Sequence, residues 1–178
     1  VTPPTGPTKR PFGRDEARFP NGTAVDLAWW QQYATSSRFH ISSVVAGDSK
    51  GVSAYPLRLS APITFSAALA NAETLFQKAF FRQSVKISRF DDLTKEWIAV
   101  PTVGLMDNMA ACVNGVLCPV KVRRDEISMT VDLSPYHYWL RSLKNDAPYQ
   151  FEIMMTDVVS NQFFSFVVQA RARTVQFK

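Results

Sequence analysis

The sequence predicts an all-β chain folded as a sandwich of two antiparallel sheets. Three observations predict it. Short runs that alternate apolar and polar residues recur along the chain, which is the period of a strand with one buried face. Clusters of Gly, Pro, Asn, Asp and Ser separate these runs. The strand–helix–strand rhythm that a parallel sheet needs is missing. With 178 residues, 46% hydrophobic and 12% aromatic, the chain is too apolar for disorder and long enough to bury one sizeable core. It has no run of 18 apolar residues, so no spanning helix is expected.

Residues 1–27 hold Pro3, Pro4, Pro7, Pro11 and Pro20 among glycines and charges, without apolar periodicity. They read as a flexible, basic, Pro-rich arm ahead of a folded domain over 28–178. The chain begins without a charged-then-apolar leader, which reads as a signal peptide already removed. Asn21-Gly22-Thr23 is an N-glycosylation acceptor triplet. Leu27, Trp29, Trp30 and Tyr33 mark where the chain first docks on its core.

From Arg38 the period is two: Phe39, Ile41, Ser43 and Val45 fall on one side of an extended segment, and Asp48-Ser49-Lys50-Gly51 turns it. Leu57 and Leu59 alternate with Arg58 and Ser60, and Pro62 suits an edge or a strand start. Ile63, Phe65, Ala67 and Leu69 continue the alternation. Residues 71–82 break it. Leu75, Phe76, Ala79 and Phe80 recur at helical spacing behind Asn71, a candidate N-cap, so a short helix or an apolar loop is expected. That segment reads as a cap on the core, as a lid over a cavity, or as a membrane-contact tip.

Val85 and Ile87 resume the strand pattern, Asp91-Asp92 turns, and Trp97-Ile98-Ala99-Val100 is a short apolar strand ended by Pro101. Val120 and Val122 make a brief strand, and Arg123-Arg124-Asp125-Glu126 a polar turn. Ile127, Met129, Val131 and Leu133 alternate cleanly. Ser134-Pro135 opens an aromatic loop through Tyr136, His137, Tyr138 and Trp139. Phe151, Ile153 and Met155 form one further inward stripe, and Phe164, Phe166 and Val168 the last.

The only two cysteines stand in Cys112-Val113-Asn114-Gly115-Val116-Leu117-Cys118-Pro119-Val120. Asn-Gly is the strongest short turn signal, because both residues tolerate positive φ. The stretch reads as a small disulfide-closed loop feeding a strand, worth about 2 kcal/mol by loop closure. Two free buried thiols or half of a zinc site are the other readings. Zinc needs four ligands, and the histidines, His40 and His137, are far off and unpaired in spacing, so no metal is expected.

The net charge of +5 is diffuse. Lys9, Arg10, Arg14 and Arg18 stand against Asp15 and Glu16, and no dense basic run with interleaved aromatics follows. Nucleic-acid binding is therefore not expected, whereas a transient attraction to an anionic membrane is. The chain has no Gly-x-Ser-x-Gly elbow, phosphate loop or His-Glu-x-x-His helix. A lone histidine in an aromatic loop is more often structural, so neither an enzyme nor a cofactor is expected.

The order of these features resembles the ML lipid-recognition family, which includes the Niemann–Pick cholesterol carrier and the ganglioside activator protein. The resemblance rests on the Cys112–Val120 stretch, the alternating strand after it, the Pro-aromatic loop, and Phe151-Glu152-Ile153 followed by Asp157. Upstream, Arg38 to Val45, Tyr55 to Leu69 and Trp97 to Pro101 are similar to the family's earlier strands. Family members usually carry two or more further disulfides, one tying the first strand region to the last. At those positions this chain holds Tyr33 or a neighbour and Phe164 or Ser165, so packing takes the place of the cross-link.

The resemblance implies an immunoglobulin-like sandwich whose sheets splay around an apolar cavity. It also implies a secreted protein, or one of the lysosomal or endosomal lumen, that carries a sterol, fatty acid or glycolipid and contacts a receptor. The expected walls are Phe39, Ile41, Ile63, Phe65, Val85, Ile87, Trp97, Val120, Met129, Val131, Phe151, Ile153, Met155, Phe164, Phe166 and Val168, with Tyr138 and Trp139 near an entrance. The alternative is a secreted interaction module with a solid core and no lipid cargo.

Overall fold

In the computed structural model, residues 17–32, 39–71, 81–118, 120 and 123–174 are described. Among these residues ten strands run in chain order: β1 (Ala28–Gln32), β2 (Phe39–Gly47), β3 (Leu57–Arg58), β4 (Ile63–Asn71), β5 (Phe81–Asp91), β6 (Glu96–Ala99), β7 (Met109–Ala110), β8 (Arg123–Val131), β9 (Ala147–Asp157) and β10 (Phe163–Arg173). Among the described residues they form two sheets. One follows the order β1-β10-β9-β5-β6, with β3 added to β10 and β7 to β5; the other is β2-β4-β8. Every pairing is antiparallel except the two-residue contact of β3 with β10. The expected sandwich of two antiparallel sheets is the fold observed.

Alternation decides which side chains meet. On β5, Phe81, Gln83, Val85 and Ile87 are buried while Arg82, Ser84 and Lys86 are not. On β9, Phe151, Ile153 and Met155 are buried, and their register partners on β10 are Val168, Phe166 and Phe164. The second sheet answers with Ile41, Ile63, Phe65, Leu69, Ile127, Met129 and Val131, all in one continuous core.

Four local expectations change. On β2 the register shifts between Ile41 and Ser43, so Val44 and Ala46 turn inward and Val45 is 58% exposed. An extra residue in one strand reverses every later side chain, which a strict period of two does not anticipate. Arg123 to Glu126 are no turn; they extend β8 beside Asn71 to Ala68 of β4. Asn71 ends β4, and Phe81 and Arg82 begin β5. The rest of the 71–82 segment lies outside the described residues. The aromatic loop winds into a 3₁₀ turn, Ser134–Tyr136, and a single helical turn, α1 (His137–Leu140).

The stretch read as an arm is packed where it is described. Phe19 is buried, with the Arg171 guanidinium 4.7 Å from its ring centre. The Tyr55 hydroxyl donates to the Thr23 carbonyl, and the Asn21 amide donates to Gln169 Oε1 at 2.6 Å. Docking thus begins ahead of Leu27; residues 1–16 lie outside the described set.

Candidate functional site between the sheets

Each sheet presents a stripe of apolar side chains to the other, and the site is the space they share. Of the residues expected to line it, Ile41, Ile63, Phe65, Val85, Ile87, Val120, Met129, Val131, Phe151, Ile153, Met155, Phe164, Phe166 and Val168 all belong to the buried core. The Phe65 and Phe151 rings meet across the two sheets with centroids 5.2 Å apart and planes at 52°. Phe81 and Phe164, both on the larger sheet, lie 6.4 Å apart. Phe39 is in β2, and its side chain lies outside the described residues, as do Tyr33 and Val122.

Trp97 and Tyr138 lie outside the core, and Trp139 lies at its margin. Trp97 faces away from the interior: its register partner on β5 is Phe90, which has the outward parity of Arg82 and Lys86, and the two rings pack 5.2 Å apart. Residues paired across strands share a face, so Trp97 covers the outer side of the larger sheet. Tyr138 is 78% exposed, its ring 4.3 Å from that of His137 and 5.8 Å from the Arg141 guanidinium. Trp139 is half-buried, and its indole N–H donates to the Pro101 carbonyl at 3.0 Å. That bond ties the aromatic turn to the loop before β7, and Trp139 packs against the margin of the core.

The sequence reading missed one residue of the interior. Gln83 is only 1% exposed, yet neither its Nε2 nor its Oε1 has a hydrogen-bond partner. It stands on the inward stripe between Phe81 and Val85, and its register partners are Met155 on β9 and Met109 on β7. Thioethers are weak acceptors and do not donate, so neither neighbour satisfies the amide. Leaving such a group unpaired costs about 1–3 kcal/mol. The period-two signal restarts at Val85, so Gln83 fell at the break.

Cys112 and Cys118 are joined in a disulfide with Cα atoms 5.6 Å apart. The loop they close touches both sheets. β7, just before it, pairs with Arg82 and Gln83 of β5, and Thr130 of β8 donates its N–H to the Asn114 carbonyl at 2.8 Å. No other cysteine exists, so nothing covalent links the two sheets beyond the chain itself. On the opposite side, the β2 amide of Ile41 donates to Gln31 Oε1 of β1 at 2.9 Å.

Outside the interior, an open cleft of about 540 Å³ lies where the β2–β3 loop meets Ile63 and Arg173, rimmed by Asp48 and Arg58. The acceptor triplet is engaged: Asn21 Nδ2 bonds Gln169, and Thr23 is fully buried with its hydroxyl donating to the Pro20 carbonyl. A glycan on Asn21 would have to displace the bond to Gln169. Among the described residues no group of three or more His, Cys, Asp and Glu is placed to hold a metal ion, and no helix is long and apolar enough to cross a membrane.

Fold and site together define a two-sheet sandwich with an apolar interior and one buried amide in it. No protein-family model and no curated protein matches the chain. Among solved structures it is similar to a Niemann–Pick type C2 protein from the Japanese carpenter ant, at 10% identity and a TM-score of 0.42, over 75% of this chain and 91% of that one. At that level of likeness the fold stands on its own strand order and register.

Proposed function

We propose that the protein binds a lipid between its two sheets and carries it. The observation that supports this most is the lining: both sheets contribute an apolar stripe, interrupted on the larger sheet by Gln83, and no disulfide pins one stripe to the other. A guest that separates them exchanges one apolar contact for another. Each buried methylene contributes about 0.8 kcal/mol, so a dozen supply roughly 10 kcal/mol against association costs of about 4–15 kcal/mol. Parting the sheets means separating Phe65 from Phe151. Met129 and Met155, unbranched and polarizable, can refill the irregular gaps that follow.

A sterol, a fatty acid or the tail of a glycolipid or phospholipid all satisfy this lining. The disulfide fits an oxidising compartment, so the proposed location is the secretory route or the endosomal and lysosomal lumen. Diffuse positive charge favours a passing contact with an anionic membrane during transfer. On this reading the protein performs no chemistry on its cargo.

One observation favours the alternative of a solid interaction module. Phe65 and Phe151 touch across the two sheets, as side chains of a solid core do, and the exposed Tyr138 would then be part of a protein-binding surface. Native mass spectrometry after incubation with a fluorescent fatty acid separates the two. Carriage predicts a one-to-one complex from which unlabelled lipid displaces the probe; no uptake by the folded protein would support the module.

A further inference from the structure

We infer that the Gln83 side chain is a recognition point for the hydroxyl group of an uncharged lipid, which makes the preferred cargo a neutral lipid alcohol rather than an anion. The inference rests on the lipid-binding reading and adds the chemical class of the guest. Its evidence is the amide itself, buried on the inward stripe with both polar atoms unpartnered.

Gln83 offers one acceptor oxygen and a two-hydrogen donor. A hydroxyl is the smallest lipid group that answers both at once, donating to Oε1 and accepting from Nε2. An ether or an ester oxygen accepts only and leaves Oε1 unpaired. A carboxylate accepts only and carries a charge as well. Among the described residues, the interior core around Gln83 is made of apolar side chains and contains no lysine or arginine to neutralise such a charge. The nearest carboxyl by register, Asp157, is the partner of Phe81 and accepts from the Val159 amide at 3.0 Å, so it is turned to the β9–β10 turn. An unpaired ion in apolar surroundings is strongly disfavoured, whereas a neutral hydroxyl paired to the amide is not.

Specificity follows from the same asymmetry. A site that buries a polar group discriminates against a ligand that leaves it unpaired, because the penalty already present in the empty protein is relieved only by the matching group. The hydrocarbon stripes supply affinity without selectivity, and Gln83 supplies selectivity for the polar end.

The test compares 1-dodecanol, its methyl ether and dodecanoate at neutral pH as displacers of a fluorescent lipid probe, in wild type and in Gln83→Met. The preference of wild type for the alcohol over the ether is expected to fall about tenfold or more in the variant, the size expected of one buried neutral group. Ether binding should be unchanged or tighter, and dodecanoate should be the weakest displacer of wild type. Gln83→Met keeps nearly the same volume and removes an unpaired amide, so it should melt no lower than wild type; Gln83→Leu provides a second reading of the same ratio. An alcohol-to-ether ratio that is equal in wild type and both variants would overturn the inference, since the amide would then hold only a water. Dodecanoate binding tighter than dodecanol would overturn it too. If none of the three lipids displaces the probe, or the probe does not bind, the lipid-binding reading itself fails, an outcome distinct from a flat ratio.

Discussion

Asp146 is the acid on which the N-terminal segment depends. Its carboxylate accepts from Arg171 Nε and Nη2, each at 2.7 Å, and from Arg173 Nε at 3.2 Å. The hydrogen bond from Arg171 is the main cause that holds its pKa down to about 2. Arg171 in turn covers the Phe19 ring, and its backbone N–H donates to the Tyr55 hydroxyl at 2.8 Å. A carboxyl with a depressed folded pKa contributes stability above its unfolded pKa and loses it as pH falls through the folded one. The contribution of Asp146 should therefore fade between about pH 4 and pH 2. Asp146→Asn should cost about 1 kcal/mol at neutral pH, the upper end for a partly exposed pair. It should also flatten the melting temperature over that acid window; asparagine tolerates the positive φ of 55° found there. Melting curves of both proteins from pH 2 to pH 7 check this.

Single residues were the least legible scale in the sequence. Gln83 and Asp146 matter through geometry, one by having no partner and the other by having two arginines, and neither lies in a motif. Burial on the outer face was equally hidden. Gln169 is buried because Gln150 and Asn21 meet its amide, although a glutamine at that position reads as solvent-facing.

Elements were read well where a strand alternates without interruption and poorly where the backbone departs from the plain ladder. The stripes on β8, β9 and β10 followed from Met129, Phe151 and Phe166 and their spacing. The bulge in β2 moved Val45 outside, because a period of two carries no sign of an inserted residue. Trp97 misled by its size: a large apolar residue on a short edge strand covers either face equally well by composition, and only the pairing with Phe90 decides. Arg123 to Glu126 misled by their charge, since an edge strand tolerates a polar run that a central strand does not.

The Asn114-Gly115 turn was legible, and the structure adds the reason for its glycine. Gly115 has φ +97°, and a Cβ there would lie 2.8 Å from Thr130 Oγ1 and 2.9 Å from the Thr130 nitrogen. The turn must lie that close for Asn114 to accept from Thr130, the bond that holds the cysteine loop against β8. Gly115→Ala is expected to destabilise the protein by about 2–3 kcal/mol, combining backbone strain with the clash. A chemical-denaturation midpoint close to that of wild type would contradict it.

At the scale of the whole molecule, a lipid that enters between the sheets must displace the contact of Phe65 with Phe151. The sandwich was legible because inward and outward faces repeat along β5 and β9. Whether the faces separate was not, since the same apolar residues build a solid core and a cavity wall alike. The methionines report on this directly. Met129 and Met155 are fully buried in the interior, while Met154, beside Met155 in the chain, points outward and is 42% exposed. The decisive measurement is a methyl NMR titration of the methionine-labelled protein with 1-dodecanol. A guest between the sheets predicts that the Met129 and Met155 signals shift and saturate at one equivalent while Met154 stays in place. Unmoved Met129 and Met155 signals, alone or with shifts confined to Met154, would contradict it.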